Sequence, residues 1–448
     1  MAVHMEVDFK KACELLKVGK LKDFQKETVV ALLGGRDVFL SVQTGGGKSL
    51  CYQTYPVVWR QINNEVLCHV LIVTPLISII KEQCDFLCAL GFKSTYIGKD
   101  TEDEQDILDG NFDFLFSSPE SLLGVTKWRE MLGRSNIHLM VVDKAHTVVH
   151  WGEADGDDAP FRVWYGKLGE ARSLLTCPIL LITATASKSA RKKLQKKFSM
   201  TDCLEIIDNP DRVNIKLFVH KYKSSLSLNI LFEFLITLIK EKKDKCERYI
   251  IFCPSIRLCS QVFSMLRLEL GVDIKYIQMF HSMTTDTVKE EVRQDMGTSN
   301  GTIRVLVSTS AAGMGVNFAG VNSVINLGPP KDMDSYVQQF GRCGRDGSQA
   351  MALLLFTAKQ CKTIDQDMHA YIFNDTMCRR QMLLDAYNGK PSRNLSKHLC
   401  CDICAKNCYC NEEDCSKYLH PIYVYDDTIL NHYSSSSDSH HSDSDSDY

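Results

Sequence analysis

The chain has 448 residues, of which 44% are hydrophobic and 24% are charged, and its formal net charge is −3. At roughly 150 residues per domain, this length predicts about three folded units of ordinary globular composition. The most apolar stretch, residues 69–80, is interrupted by Thr74 and Pro75 and is too short to span a membrane. We therefore expect no membrane association, and the near-neutral charge means that any basic track for nucleic acid is local.

The amino-terminal residues Met1–Lys11 mix charged and apolar side chains and lack the apolar core of a secretory signal. We expect the protein in the nucleus, with the cytoplasm as the alternative. In such a reducing compartment the 19 cysteines do not predict a disulfide framework.

Short β-branched runs alternate with helical patterns, which is typical of parallel sheets covered on both faces. In the first part of the chain the predicted strands are Asp37–Val42, Val70–Thr74, Phe114–Ser117, Ile137–Val142 and Ile179–Thr183. After Pro210 they are Arg248–Cys253, Tyr276–Phe280, Ile303–Ser308, Ser323–Leu327 and Met351–Phe356. Between the first two of the latter, apolar residues at helical spacing predict a helix, namely Ile256, Cys259, Val262, Phe263 and Leu266. The fold class is therefore α/β, with two lobes in tandem.

The strand pattern predicts a first lobe over residues 1–208 and a second over residues 209–360. Residues 361–415 form a small helical module that contains a cysteine cluster. Residues 416–448 form a tail, and its serine- and aspartate-rich end has too little apolar surface to offset the entropy of ordering. We expect that end of the tail to be disordered.

A glycine-rich loop follows the first predicted strand and precedes a predicted helix. The loop comprises Thr44, Gly45, Gly46, Gly47, Lys48 and Ser49. Such a loop wraps phosphate oxygens with backbone N–H groups at a helix amino terminus, while the lysine reaches the β- and γ-phosphates and the serine ligates Mg²⁺. Val42 stands where the usual first glycine would be. The loop predicts a site for a nucleoside triphosphate with Mg²⁺.

Asp143 comes directly after the buried strand Ile137–Val142, at the carboxyl end where ligand crevices form in α/β sheets. Together with Lys48 and Ser49, it is the natural carboxylate to hold Mg²⁺ through bound water.

Further motifs follow in a characteristic order. In the first lobe they are Lys22–Gln25 with Gly35–Asp37, Thr74–Ser78, Ser118–Glu120, Asp143–His146, His150–Gly152 and Thr183–Ala186. In the second lobe they are Phe252–Ser255, Ser308–Thr309 with Gly313–Asn317, and Gln338–Gly347. Over roughly residues 15–408 the chain thus resembles the RecQ-type DNA helicases.

This resemblance implies two tandem RecA-like lobes followed by a helical zinc-binding module. It implies an ATP-dependent helicase that translocates 3′ to 5′ on single-stranded and partially duplex DNA, in DNA repair and recombination. About 40 residues follow Cys408, too few for the winged-helix domain that the family often carries, so we expect a short core form. In the adenine-binding segment Gln25 would hold the base, and Lys22 replaces the family's arginine.

The resemblance also implies catalytic roles for Lys48, Asp143, His146 and Gln338. Arg342 and Arg345 would act as fingers that neutralise the γ-phosphate from the opposite lobe.

Lys144 departs from the family, which has at this position a glutamate that activates the attacking water. A protonated lysine cannot accept a proton, and loss of a positioned base costs about 10²- to 10⁴-fold in rate. Three interpretations remain open: a slow or inactive ATPase that still binds ATP and DNA, a substitute carboxylate such as Glu153 or Asp155, or a sequence error. An RNA helicase of the related DEAD type is a further alternative, which the cysteine cluster and Trp151 disfavour.

Residues that would contact DNA occur in both lobes. Trp151, Phe161 and Arg162 concentrate aromatic rings and a cation in one loop, where bases could stack, with capping of the lobe's core as the alternative role of the rings. By resemblance, backbone contacts would come from Pro75, Ser78, Ser255, His281 and Thr309.

Seven of the 19 cysteines lie within residues 378–415, a density typical of a metal site. The resemblance implies a structural Zn²⁺ held by Cys378, His398, Cys401 and Cys404. His398 stands where the family has a cysteine, and Cys400 and Cys408 are the alternatives for this fourth ligand.

Overall fold

The structure is a computed structural model that describes residues 7–43, 45–75, 77–152, 162–271, 274–310, 318–391, 395–410 and 415. The chain divides into two units, one comprising Met1–Pro210 with Ala386–Gly389 and the other Asp211–Asp385 with Lys390–Tyr448. The predictions for Thr44, Phe161, the motif at 313–317 and the tail at 416–448 lie outside the described residues, as do the substitute carboxylates Glu153 and Asp155.

The described strands of the first unit form one parallel sheet in the order β3-β4-β2-β5-β6-β1-β7. Their bounds are β1 Val38–Ser41, β2 His69–Val73, β3 Ser94–Tyr96, β4 Phe114–Ser117, β5 Ile137–Asp143, β6 Ile179–Thr183 and β7 Leu204–Ile207.

The helices of this unit connect the strands. They are α1 Lys10–Leu15, α2 Asp23–Leu33, α3 Ser49–Asn63, α4 Ile77–Ala89, α5 Thr101–Leu108, α6 Pro119–Gly124, α7 Thr126–Arg134, α8 Thr147–His150, α9 Val163–Gly166, α10 Ala171–Leu174 and α11 Lys188–Lys197.

Both faces of this sheet are buried. In β2, Leu71 and Val73 pack into one apolar cluster, whereas Val70 and Ile72 pack into another. Successive side chains of a strand point to opposite faces, so a continuous apolar run indicates a strand that is covered on both sides. This explains why the central strands have few polar residues. Several of these end a strand, namely Ser41, Ser117, Asp143 and Thr183.

The second unit has its own parallel sheet, with the strands in the order β10-β11-β9-β12-β13-β8. Their bounds are β8 Ile215–Lys221, β9 Arg248–Phe252, β10 Ile277–Phe280, β11 Val305–Ser308, β12 Val321–Leu327 and β13 Ala350–Phe356. The helices after Asp211 are α12 Leu228–Leu231, α13 Glu233–Lys242, α14 Ile256–Leu270, α15 Asp286–Gly297, α16 Met333–Phe340, α17 Gln366–Phe373, α18 Arg379–Tyr387, α19 Lys397–Cys400 and α20 Asp402–Lys406.

The predicted α/β class with two parallel-sheet lobes is confirmed. Each predicted strand is present, with ends that differ by at most two residues. The predicted helix is α14, and it buries Cys259, Val262 and Leu266. Three strands were not predicted, namely β3, β7 and β8, and each lies at an edge of its sheet.

Within the described residues, none of the helices combines the length and the apolar character that crossing a membrane requires.

Candidate functional site

Two glycines of the predicted phosphate loop (residues 44–49) have backbone angles that favour glycine. Gly45 and Gly47 have φ angles of +82° and +89°, a region that residues with a Cβ avoid. A Cβ on Gly46 would lie 2.5 Å from Cγ1 of Val42. A residue with a Cβ at position 46 would therefore clash with the side chain of Val42. Val42 is the residue that stands where the usual motif has its first glycine.

Lys48 lies at the end of this loop, directly before α3, which begins at Ser49. Its Nζ donates hydrogen bonds to the carbonyl oxygens of Val42 (2.7 Å) and Gln43 (3.0 Å). Burial lowers the pKa of Lys48 to about 8, although the nearby carboxylate of Asp143 opposes this shift. The loop thus holds a desolvated ammonium group beside the helix amino terminus, where an anion would be bound most strongly.

Two residues at the amino terminus of α2 support the phosphate loop. Nε2 of Gln25 donates to the carbonyl oxygen of Gly47 at 2.8 Å, and Oε1 of Gln25 accepts from the backbone N–H of Lys22 at 2.8 Å. Nζ of Lys22 donates to the carbonyl oxygen of Gly46 at 3.0 Å. The structure therefore connects both predicted adenine-segment residues to the phosphate loop.

The turn between β5 and α8, residues 143–146, contains the departure from the family motif. The backbone N–H of Lys144 donates to Oδ1 of Asp143 at 2.9 Å, and its Nζ lies 3.8 Å from Oδ2. Lys144 has a φ of +56°, which is unusual for a residue with a side chain. The Lys144 charge also contributes to lowering the pKa of Lys48, after burial. An ammonium group therefore lies beside the carboxylate expected to hold Mg²⁺.

His146 links this turn to the neighbouring strand. Its Nδ1 lies 2.9 Å from Oγ1 of Thr183, the last residue of β6, and this hydroxyl donates to the carbonyl oxygen of Thr185 at 2.8 Å. His146 and Thr183 are both buried. Because β5 and β6 are adjacent and parallel, their carboxyl ends bring two motifs that are about 40 residues apart into one hydrogen-bonded network.

Arg162 contacts three of the sequence motifs of the first lobe, two of which contain predicted DNA-facing residues. Its guanidinium makes two hydrogen bonds to the carboxylate of Glu120, at 2.6 and 2.7 Å, and a third to the carbonyl oxygen of Pro75 at 3.1 Å. It also lies 5.5 Å from the ring centroid of Trp151 and 4.7 Å from that of Tyr165. The two rings contact each other edge to face. The sequence did not assign a role to Glu120, although its motif was recognised.

Of the other predicted DNA contacts, Ser255 caps the amino terminus of α14 by accepting from the N–H of Leu258. His281 is buried, and burial together with Lys289 lowers its pKa. Ser78 is the second residue of α4, and the N–H of Thr309 donates to the carbonyl oxygen of Phe280.

The predicted catalytic residues of the second unit lie in and after α16. Gln338 is within this helix, and Arg342 and Arg345 follow its end. Burial lowers the pKa of Arg342 to about 10, and the positive charge of Arg345 contributes to the shift.

The cysteine-rich segment forms two groups of ligand atoms rather than one. The first group comprises Cys378, Cys400, Cys401 and Cys404, and the second comprises His398, Cys408, Cys410 and Cys415. Within each group, the candidate ligand atoms lie within 4.8 Å of one another. The predicted ligand set thus differs in one member, because Cys400 joins the first group and His398 joins the second.

The two arginines after Cys378 attach this segment to the second sheet. Nε of Arg379 donates to Oδ1 of Asp402 at 2.6 Å, and Asp402 also accepts from the N–H of Val219 in β8. Arg380 pairs with Asp211 at 2.7 Å. Both arginines are buried, and removing one partner of such a pair typically costs about 3–5 kcal/mol.

The fold and the phosphate loop define the class of protein. Residues 22–194 match the DEAD/DEAH box helicase family model, and residues 230–347 match the helicase conserved C-terminal domain.

The fold is similar to the DEAD-box helicase Mss116 bound to ssRNA and UDP-BeF, with a TM-score of 0.58 and 18% identity over 95% of this chain and 84% of that chain. It is also similar to the helicase MrfA bound to DNA and AMPPNP, with a TM-score of 0.57 and 16% identity over 99% of this chain and 62% of that chain. At these identities the likeness concerns the fold, and the chain has the two-lobed helicase architecture.

The similar sequences define the family more narrowly. The chain is 29% identical to "ATP-dependent DNA helicase hus2/rqh1" of Schizosaccharomyces pombe, over 89% of this chain and 31% of the relative. It is 28% identical to "ATP-dependent DNA helicase RecQ" of Pasteurella multocida, over 85% of this chain and 59% of the relative. The similar sequences support the resemblance to RecQ-type helicases that the motifs predicted, and the chain spans less than two thirds of the length of these relatives.

Proposed function

We propose that the chain is an ATP-dependent DNA helicase core that translocates 3′ to 5′ on single-stranded DNA, in nuclear DNA repair or recombination. The observation that carries this proposal is the phosphate loop, in which Gly45 and Gly47 have positive φ angles and Lys48 is held at the amino terminus of α3. The relatives, which are named as ATP-dependent DNA helicases, support DNA as the substrate.

In this proposal each residue has a role that follows from its position. The loop N–H groups and the Lys48 ammonium bind the phosphates, while Ser49 and Asp143 hold Mg²⁺, which would neutralise the developing phosphate charge. Gln25 supports the loop through its hydrogen bond to the carbonyl oxygen of Gly47 and contacts the adenine base. His146 connects the turn after β5 to Thr183, so that a change at the phosphates moves the end of β6. The roles of Gln338, Arg342 and Arg345 stay predictions of the resemblance.

For DNA, we propose that Arg162 is a positioning residue. Its guanidinium is already engaged by Glu120 and Pro75, so it orients Trp151 rather than neutralising a phosphate itself. Trp151 would then stack on a base, and contacts of this kind are worth roughly 1–3 kcal/mol each.

The test is a set of assays on the full chain with single-stranded DNA and a duplex that has a 3′ overhang. We expect ATP binding, DNA-stimulated release of phosphate and strand separation that requires a 3′ overhang. In the Lys48→Ala variant all three should be lost, whereas Lys81→Ala, which changes an exposed lysine of α4, should leave them intact. A protein that binds no ATP before or after substitution would contradict the proposal.

The second candidate is a pseudo-helicase that binds ATP and DNA but hydrolyses ATP slowly. It is favoured by the contact between the Lys144 ammonium and Asp143, at the position where a base is needed. The unaltered protein decides between the two: strong stimulation of turnover by single-stranded DNA excludes the pseudo-helicase, and tight binding with only background turnover excludes the active enzyme.

We also propose that the first cysteine group binds a structural Zn²⁺. Four sulfur ligands in a closed group are typical of structural zinc, and the fit is supported by the 3.5 Å between Sγ of Cys378 and Sγ of Cys400. The ion would stabilise the module at residues 361–415, because it would join Cys378, directly before α18, to the cysteines in and between α19 and α20.

A further inference from the structure

The two ligand groups share helix α19, which supplies one residue to each. His398 belongs to one group and Cys400 to the other. Residues two apart on a helix are separated by about 200° around its axis, so their side chains point in nearly opposite directions. This geometry explains why one ion could not readily take both side chains, and why His398 lies apart from the cysteines with which the sequence grouped it.

The second group has the donor set and the spacing of a closed metal site. Nδ1 of His398 lies 3.4 Å from Sγ of Cys408 and 3.2 Å from Sγ of Cys410. In tetrahedral zinc, bonds of about 2.3 Å to sulfur and 2.0–2.1 Å to nitrogen place ligand atoms roughly 3.6–3.8 Å apart. Cys415 completes the group as a fourth ligand. These separations need only a small expansion to admit an ion.

The surroundings of the groups supply positive charge. The ammonium of Lys216, in β8, is buried and interacts electrostatically with Cys415, Cys401 and Cys408. Arg380 interacts in the same way with Cys400. Zinc with four thiolates carries a formal charge of −2, and zinc with three thiolates and a neutral histidine carries −1. The thiolates of a bound ion would place negative charge beside these two cations, in addition to the Asp211 carboxylate that already pairs with Arg380.

We propose that the chain binds a second structural Zn²⁺ through His398, Cys408, Cys410 and Cys415. The two ions would then bind on opposite faces of α19, one through Cys400 and the other through His398. The segment from His398 to Cys415 is thereby cross-linked at both faces of this helix. Cys401 strengthens the link to the lobe, because it forms an isolated parallel bridge with Leu217 of β8. The second ion fixes the end of the described chain, so residues beyond Cys404 are held by metal rather than by an apolar core.

The decisive measurement is the zinc content of the purified full chain, determined by native mass spectrometry and by elemental analysis. We expect two zinc ions per chain. A content of one or none in the unaltered protein would overturn the proposal, and this result does not depend on any variant folding.

Variants then assign the ions. The double variant Cys408→Ser/Cys410→Ser should retain one zinc ion, because the first group is unchanged. Cys410→His, which keeps a ligand at the same position, should retain two. As a matched control, Cys88→Ser changes an exposed cysteine outside both groups and should also retain two.

The proposal does not rest on helicase activity, since zinc content is measured without ATP or DNA. Retention of both ions by the double variant would show that the second ion lies elsewhere and would overturn the assignment. Loss of both ions in the double variant, with a full complement in Cys410→His, would mean that the two sites fold together and would support it.

Discussion

The phosphate loop and the turn after β5 lie in the same lobe, yet they depart from their motifs in different ways. In the loop, Val42 stands where the usual motif has its first glycine, and Gly46 leaves room for its side chain, because a Cβ at position 46 would lie 2.5 Å from Cγ1 of Val42. In the turn, Lys144 stands where the resembled family has an acceptor, and its ammonium lies 3.8 Å from Oδ2 of Asp143. The comparison teaches that a neighbouring glycine can accommodate an added side chain, whereas a protonated lysine cannot supply the acceptor that proton transfer requires.

The prediction with the largest expected effect concerns Lys144, in the turn after β5. Lys144→Glu should raise the rate of ATP hydrolysis by about 10²- to 10⁴-fold, because it supplies a general base. Nucleotide affinity should change far less, since the loop is unaltered. Lys240→Glu makes the same charge change on an exposed residue of α13 and should leave the rate unchanged. Steady-state phosphate release at saturating ATP and DNA is the measurement, and equal rates in the unaltered protein and Lys144→Glu would refute the assignment.

The second prediction tests the loop. Gly46→Ala places a Cβ 2.5 Å from Cγ1 of Val42, so the loop must shift. Such overpacking costs about 1–3 kcal/mol, equivalent to roughly 5- to 150-fold weaker ATP binding. Val42→Gly in the same chain should recover part of the affinity, since the alanine Cβ would still lie 3.0 Å from the carbonyl oxygen of Gln43.

Fluorescent-nucleotide titration would measure this double-mutant cycle. Gly133→Ala is the matched control, because a Cβ at Gly133 meets no atom within 4 Å. Additive effects of the substitutions at positions 42 and 46 would show that the valine and the glycine do not compensate each other.

The third prediction uses the protonation of Lys48, whose pKa is lowered to about 8 chiefly by burial. Bound phosphate favours the charged form, so the affinity for ATP should fall as the pH rises above about 8, by up to about tenfold per pH unit. Without nucleotide, the pH dependence concerns the stability of the fold and has the opposite sign. The free energy of unfolding should rise above pH 8, because the unfolded chain keeps a proton on Lys48 that the folded chain has lost. Lys48→Arg stays charged over this range, and its binding curve should be flat.

The smallest effect tests the network that connects the turn to β6. Thr183→Val removes the hydroxyl that bonds to His146 and Thr185, and should lower the free energy of unfolding by about 1 kcal/mol. ATP affinity should be nearly unchanged, because the phosphate loop is not touched. Urea denaturation is the measurement, and Thr201→Val, at an exposed position, is the control. A large loss of affinity would mean that the network also shapes the loop.

The central strands could be predicted from the sequence, whereas the edge strands could not. A strand such as β5 is buried on both faces and has a continuous apolar run. The edge strands β3 and β7 are short and only partly apolar, and β8 has Lys216 near its start and His220 and Lys221 at its end. Lys216 suggests an exposed face, yet that residue is buried beside the cysteine-rich segment. Its environment depends on residues about 200 positions further along the chain.

The sequence by itself determined the α/β class, the glycine-rich loop, the resemblance to RecQ-type helicases and the position at which Lys144 departs from that family's motif. These features depend on local periodicity and on residues that are adjacent in the chain. The tertiary structure decided that the side chain of Val42 lies against Gly46, that the Glu120 carboxylate accepts hydrogen bonds from Arg162, and that the cysteine-rich segment forms two ligand groups. Each of these depends on the direction in which a side chain points after folding, and helix and sheet geometry fix that direction only once distant segments have packed together.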